Sequence, residues 1–189
     1  MTSPPVDREA IASELEASRL QLHELLAGAG AADLRRGSQG TDWTNEELLF
    51  HMVFGFLVVR TLLPLVRLMS RLPVWVGRRF AALLDSARRP FHVINFWGSR
   101  VGARVFGARR MGRLCDRVVA ALERSLQRRS EASLGRGMPF PTSWDPYFTS
   151  YMTLAEVYRY PTLHFEHHRR QLTLTAGGSG GPPEGTGSR

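Results

Sequence analysis

Apolar residues recur along this chain at intervals of three and four, and the every-second-residue alternation of strands is nearly absent. A chain patterned this way hides its apolar stripes by packing helix on helix. The first stripe, Ile11, Leu15, Leu22, Leu25 and Leu26, predicts a helix over about Asp7 to Ala27. At Thr44-Asn45-Glu46-Glu47 the spacing is that of a capping box, in which hydroxyl and carboxylate each accept an otherwise unpaired backbone N–H. The helix it opens carries the apolar run Leu48–Val59 and is expected to kink or end at Pro64. Pro73 suits the first turn of a further segment, about Val74 to Ala87. Arg88–Gly98, "RRPFHVINFWG", is expected to be irregular. Leu114, Val118, Ala121, Leu122 and Ser125 predict a long helix over Phe106–Glu131. A second capping box, Thr153-Leu154-Ala155-Glu156, opens a last helix to about Leu174, bent at Pro161. Gly28–Asp42 reads as a loop with room for one short turn, and Gly135–Phe148 as a long Pro-rich loop. The expected fold is all-α: a four-helix bundle with additional short helices over residues 7–175. A frayed lead at 1–6 and a flexible Gly/Pro-rich tail at 176–189 flank it.

Charge is distributed unevenly over the 189 residues. All 25 cationic side chains are arginine, and there is no lysine. Between Arg60 and Arg136 stand 17 arginines and four acids (Asp85, Asp116, Glu123 and Glu131), whereas the remainder holds 8 arginines and 13 acids. A basic block of this kind suits an anionic surface or ligand, or is a solvated helix face. Arg60, Arg67 and Arg71 fall on one side of a helix with Leu62, Val66 and Met69 on the other, an amphipathic pattern that fits a core helix or a membrane-surface helix. No nucleic-acid-binding motif accompanies the block, so a nucleic-acid partner is not expected. The N-terminus has acids at Asp7 and Glu9 and no apolar segment, so a cytoplasmic location is expected. The single cysteine, Cys115, excludes an intrachain disulfide and a thiolate-rich zinc site, and reads as a small buried apolar residue.

Three of the six histidines lie in the window "HFEHH". His164 and His168 are four apart and project from one helix face, where two imidazoles can share an ion. His168 also continues the apolar set Leu154, Tyr158, Phe165 and Leu172, which turns it inward; His167 lies about 100° round the helix and is the more exposed. His51 sits on the apolar run of the second long helix, opposite Arg60, so Arg60 outward means His51 inward. Three buried imidazoles each need polar partners, and one divalent ion serves all three. Three imidazoles and a free fourth position make a site that can activate water or a thiol. The spacing is not that of the HExxH metalloproteases, because Phe165 follows His164.

The segments "DWTNEELLFHM" (Asp42–Met52) and "HFEHHRRQL" (His164–Leu172) resemble the DinB-like, damage-inducible four-helix superfamily. That family opens its second helix with Trp-[Ser/Thr]-x-x-Glu-Leu-x-x-His and carries H-x-x-x-H-R-G-Q in its last. The resemblance implies His51, His164 and His168 as metal ligands and Gln171 as the family's glutamine. It also implies a zinc or nickel ion, and a thiol-dependent transferase or isomerase using a low-molecular-weight thiol such as mycothiol. Dimerisation is common among such proteins. Arg170 stands where the family usually has glycine and narrows access to the site. The middle, Arg60–Phe148, departs from the general pattern and suggests an actinobacterial subgroup.

Other residues have bland readings beside functional ones. His92 and Asn95 line a pocket mouth or serve loop packing with turn hydrogen bonds, the second being the expectation. Trp144 and Asp145 close the site as a lid or start an ordinary turn, and the turn is expected. Trp43 staples the start of the second long helix. Three functions therefore compete: a metal-dependent thiol transferase, a non-catalytic helical binding module, and a peripheral anionic-surface binder using Arg60, Arg67, Arg71, Arg78 and Arg79.

Overall fold

A computed structural model describes residues 6–175. The tail expected at 176–189 and all but one residue of the expected lead lie outside the described residues. Helix α1 spans Arg8–Gly28, with Asp7 as its cap: the carboxylate accepts the Ala10 N–H at 2.9 Å. A short α2, Ala31–Arg35, occupies the stretch read as a loop with one turn. Helix α3 runs over Asn45–Met69 and starts in the predicted capping box, with Thr44 Oγ1 accepting from Glu47 N at 3.3 Å and Glu47 Oε2 from Thr44 N at 3.1 Å. After α4, Val74–Ser86, comes the long α5, Arg88–Gln127, then α6, Glu131–Leu134. Strands β1, Gly137–Pro139, and β2, Tyr151–Thr153, pair antiparallel with Met138 opposite Met152. Helix α7, Leu154–Arg169, starts in the second capping box at Thr153.

Three expectations are corrected, and a fourth is narrowed. Pro64, expected to kink or end α3, does not end it, because the helix continues for another turn. A proline removes only one ladder bond, and here the loss falls at the exposed carbonyl side of Arg60. Arg88–Gly98 is not irregular but forms the start of α5. Val93, Ile94 and Trp97 face outward, so its apolar residues do not show a core-facing helical spacing. The Pro-rich segment 135–148 is not wholly loop, since Met138 and its neighbours form β1. The last helix stops at Arg169 rather than near Leu174. One boundary falls where the periodicity placed it. The regular pattern starts at Phe106, and α5 breaks at Gly107, whose φ of 57° and ψ of 169° lie outside the helical region. Only glycine adopts that backbone without strain.

The four longest helices share one core. Helix α3 packs on α5 and α7, and α1 packs on the same two from the other side. Leu15 and Leu22 of α1, Phe56 of α3, Met111 and Leu122 of α5 and Tyr158 and Phe165 of α7 are all fully buried between them. Each such side chain contributes about 1.5–3 kcal/mol by leaving water. Among the described residues α3 is the one helix long and apolar enough to cross a membrane, and most of its apolar window is buried against its neighbours. The central position of α3 sets up the site, because it turns His51 towards α7 and α5.

Candidate metal centre

His51 from α3 and His164 and His168 from α7 converge. Their potential ligand atoms all lie within 4.8 Å of one another. His51 and His164 are 4% and 5% exposed, and His168 is half-buried. Gly55, one helical turn beyond His51, makes the approach of α7 possible. A Cβ there would stand 2.9 Å from His164 Nδ1.

The hydrogen bonds assign two of the imidazoles, His51 and His168, their protons. Ser99 Oγ donates to the Asn95 carbonyl at 2.8 Å, which leaves the oxygen as acceptor for His51 Nδ1 at 3.1 Å. The Gln171 carbonyl oxygen accepts from His168 Nδ1 at 2.6 Å. With both Nδ1 atoms protonated, both Nε2 atoms present lone pairs. These two Nε2 atoms face each other at 3.2 Å. Two lone pairs at that distance form no hydrogen bond, and an ion between them resolves the conflict. Two nitrogens about 2.0–2.1 Å from a tetrahedral zinc stand about 3.3 Å apart. The donor set and its separation therefore fit a divalent metal ion.

The protonation states agree. Burial, with the neighbouring His168 adding to it, pushes His51 down to about 3. Burial and the other histidines hold His164 well below its ordinary range, and burial lowers His168 as well, against the opposing Gln171 hydrogen bond. Three neutral imidazoles at neutral pH are what a metal ion needs. Two buried side-chain polar atoms among the described residues have no hydrogen-bond partner, His164 Nδ1 and Trp43 Nε1, and both residues border this site. Such atoms are costly and collect where a protein keeps polar groups for a ligand.

Beside the histidines opens a cavity of about 230 Å³, roughly the room of eight waters. Its walls are mainly apolar and aromatic, with Phe54, Phe91, Phe140, Trp144 and Phe148 among them, and no arginine lines it. Trp43 does more than start α3: its ring stacks on His51 at 4.4 Å. Trp144 both turns and covers. Its ring lies 4.0 Å from Phe91 and its Nε1 donates to the Leu84 carbonyl at 2.9 Å. Asp145 likewise holds a turn, with Oδ1 accepting from Tyr147 N at 2.9 Å. Its other oxygen accepts from the Tyr160 hydroxyl at 2.8 Å and lies 3.9 Å from His164 Nε2. Burial, with the Asp145 charge beside it, raises the Tyr160 hydroxyl well above its ordinary range, so it stays a donor.

The structure thus brings together His51, His164, His168 and Gln171. His92 and Asn95 also line the cavity, and they do so from α5, which corrects their reading as loop packing. His167 stands apart, with Nδ1 3.3 Å from the Tyr147 hydroxyl. Ser99 and Tyr160 escaped the sequence reading as site residues, and Asp145, weighed as a lid but expected to start a turn, does both. Ser99 carried a detectable signal, since it lies four residues after Asn95 and would share its face once the segment was read as helix. Cys115 is buried in the core, and burial pushes its thiol up to about 12.

In comparisons with known proteins, no family model matches the chain, and no curated protein or solved structure matches it either. The assignment of this centre therefore stands on its geometry.

Proposed function

We propose that this protein is a four-helix bundle of the DinB-like type that holds a divalent ion, zinc or nickel, through His51, His164 and His168 and acts on a small molecule in the adjoining cavity. The observation that carries the reading is the pair of facing Nε2 lone pairs of His51 and His168, 3.2 Å apart, each fixed from behind. By the resemblance, the activity is that of a thiol-dependent S-transferase or isomerase. A bound ion would supply a Lewis-acidic position that lowers the pKa of a coordinated thiol or water.

The chain's own residues have separate tasks. Ser99 and Gln171 hold the two imidazoles in the ligating tautomer. Trp43 covers His51, and the aromatic walls exclude water from the reacting groups. Asp145, held by Tyr160, offers a carboxylate oxygen near His164 to receive a proton from an incoming thiol. With walls mainly apolar, the hydroxyl-rich part of a mycothiol-type co-substrate stays outside and the apolar electrophile goes in. Elemental analysis of protein prepared without a polyhistidine tag tests the reading. It predicts about one divalent ion per chain, lost in His51→Ala; below about 0.1 ion per chain, with no effect of that substitution, it is wrong.

A further inference from the structure

The outer surface around α4 and the first half of α5 has no partner in the fold. Fifteen large hydrophobic residues stand exposed among the described residues, and twelve of them fall between Leu62 and Val105. On α5 they form a stripe: Val93, Trp97, Val101 and Val105 recur every four residues and occupy one helix face, each more than half exposed. On α4, Trp75 is 61% exposed. An apolar groove bordered by Leu57 and Leu62 of α3 and by Phe91 and Ile94 of α5 joins those two helices, and Leu84 of α4 lines the neighbouring cavity with Phe91 and Trp144. The groove shares Phe54, Val58, Leu62, Phe91 and Trp144 with the cavity beside the histidines, so the apolar surface reaches the cavity mouth.

The same span is strongly basic. Arg60 to Arg104 contains nine arginines and one acid, Asp85. Among the described residues only Arg100 of these nine is ion-paired, with Glu47 at 3.2 Å. Arg79 lies over the Trp75 ring at 5.4 Å, and Arg100 over Phe96 and Trp97 at 5.0 and 5.6 Å. Cations are thus interleaved with the exposed aromatic rings rather than segregated from them.

We infer that this face docks on an anionic lipid surface. Exposed apolar area of this extent needs a cover, and the charge decides which. A second copy of the chain would bring like charge against like charge, because Arg79 and Arg100 stand among the exposed rings themselves. A nucleic acid would pair with the guanidinium groups but leave the valines, leucines and isoleucine without a complement. An anionic leaflet accepts both: guanidinium groups meet lipid phosphates while Trp75, Trp97 and the aliphatic stripe enter the acyl boundary. Docked so, the cavity mouth opens close to the lipid, where an apolar substrate is concentrated. The inference rests on observations separate from the histidine centre, and it stands or falls without it.

Vesicle flotation of the full chain tests it, using phosphatidylcholine vesicles with and without about one third phosphatidylglycerol. The expected result is flotation with anionic vesicles only, weakened at least tenfold by Arg78→Glu with Arg79→Glu. Trp75→Ser with Trp97→Ser should weaken it likewise at unchanged salt. Both pairs are surface changes, so circular dichroism should match the parent protein. Absence of flotation overturns the inference. So does binding indifferent to the tryptophan pair, which would mean charge attraction alone. A concentration-dependent dimer abolished by that pair would mean that a second copy covers the face, and tighter binding to duplex DNA than to anionic vesicles would mean a nucleic-acid surface. Either result also overturns it.

Discussion

Substituting Ser99→Ala separates metal binding from folding. Ser99 is fully buried, and its hydroxyl lies between the Asn95 carbonyl and His51 Nδ1. The Asn95 carbonyl keeps its ladder bond in α5, so its loss is small. In the metal-free protein His51 can move its proton to Nε2 and donate to His168 Nε2 across the same 3.2 Å. The apo variant should therefore lie within about 1 kcal/mol of the parent. Metal binding must reverse that shift and leave a buried Nδ1–H without an acceptor, at about 1–3 kcal/mol. This predicts a loss of about tenfold to a hundredfold in metal affinity, in line with the loss of other groups that orient a ligand from behind. Competition against a chelator gives the affinity, and urea unfolding of the apo protein gives the stability. An unchanged affinity would refute the tautomer argument. Unfolding easier by more than about 2 kcal/mol with affinity intact would show that Ser99 serves packing only.

Three further outcomes follow from the same structure. Gly55→Ala places a Cβ 2.9 Å from His164 Nδ1, so it should weaken metal binding at least tenfold by calorimetric titration while α3 keeps its helicity, alanine being the better helix former. The Cys115 thiol, pushed up to about 12 by burial, should resist alkylation at pH 8 until the protein is unfolded by denaturant; fast labelling of folded protein would contradict its burial. Asp116 is raised by burial, but its hydrogen bonds from His23 and Arg19 outweigh this and leave it below its ordinary value. Its contribution is therefore present above the unfolded value of about 3.9 and is lost as pH falls through the lower folded value. The stability gap between parent and Asp116→Asn should be level above about pH 5 and close towards pH 3, staying under about 1 kcal/mol because the group is over a third exposed.

The helices with a buried stripe were legible in the sequence, and so were both capping boxes, because their spacing is local chemistry. Asp7 capped α1 within one residue of its expected start for the same reason. The helical character of Arg88–Gly98 was not legible. Its apolar residues Val93, Ile94 and Trp97 face outward, so no core-facing period announces a helix. Nor was the β1–β2 pairing, which joins residues across the turn that holds Asp145. His51, His164 and His168 could be selected from helical phase alone, since opposition to Arg60 and the four-residue step both decide direction. The partners that set their protons were less visible. Gln171 lies three residues from His168, whereas Ser99 reaches His51 only through the packing of α5 on α3. The dual part of Asp145, turn and site together, likewise depends on Tyr160 of α7, fifteen residues on.

X-ray absorption fine structure on zinc-loaded protein tests the central claim most directly. The account predicts three imidazole nitrogens at about 2.0–2.1 Å from the ion in the parent protein and two in His168→Ala. A parent shell with fewer than three imidazoles, or a shell that His168→Ala leaves unchanged, would contradict it.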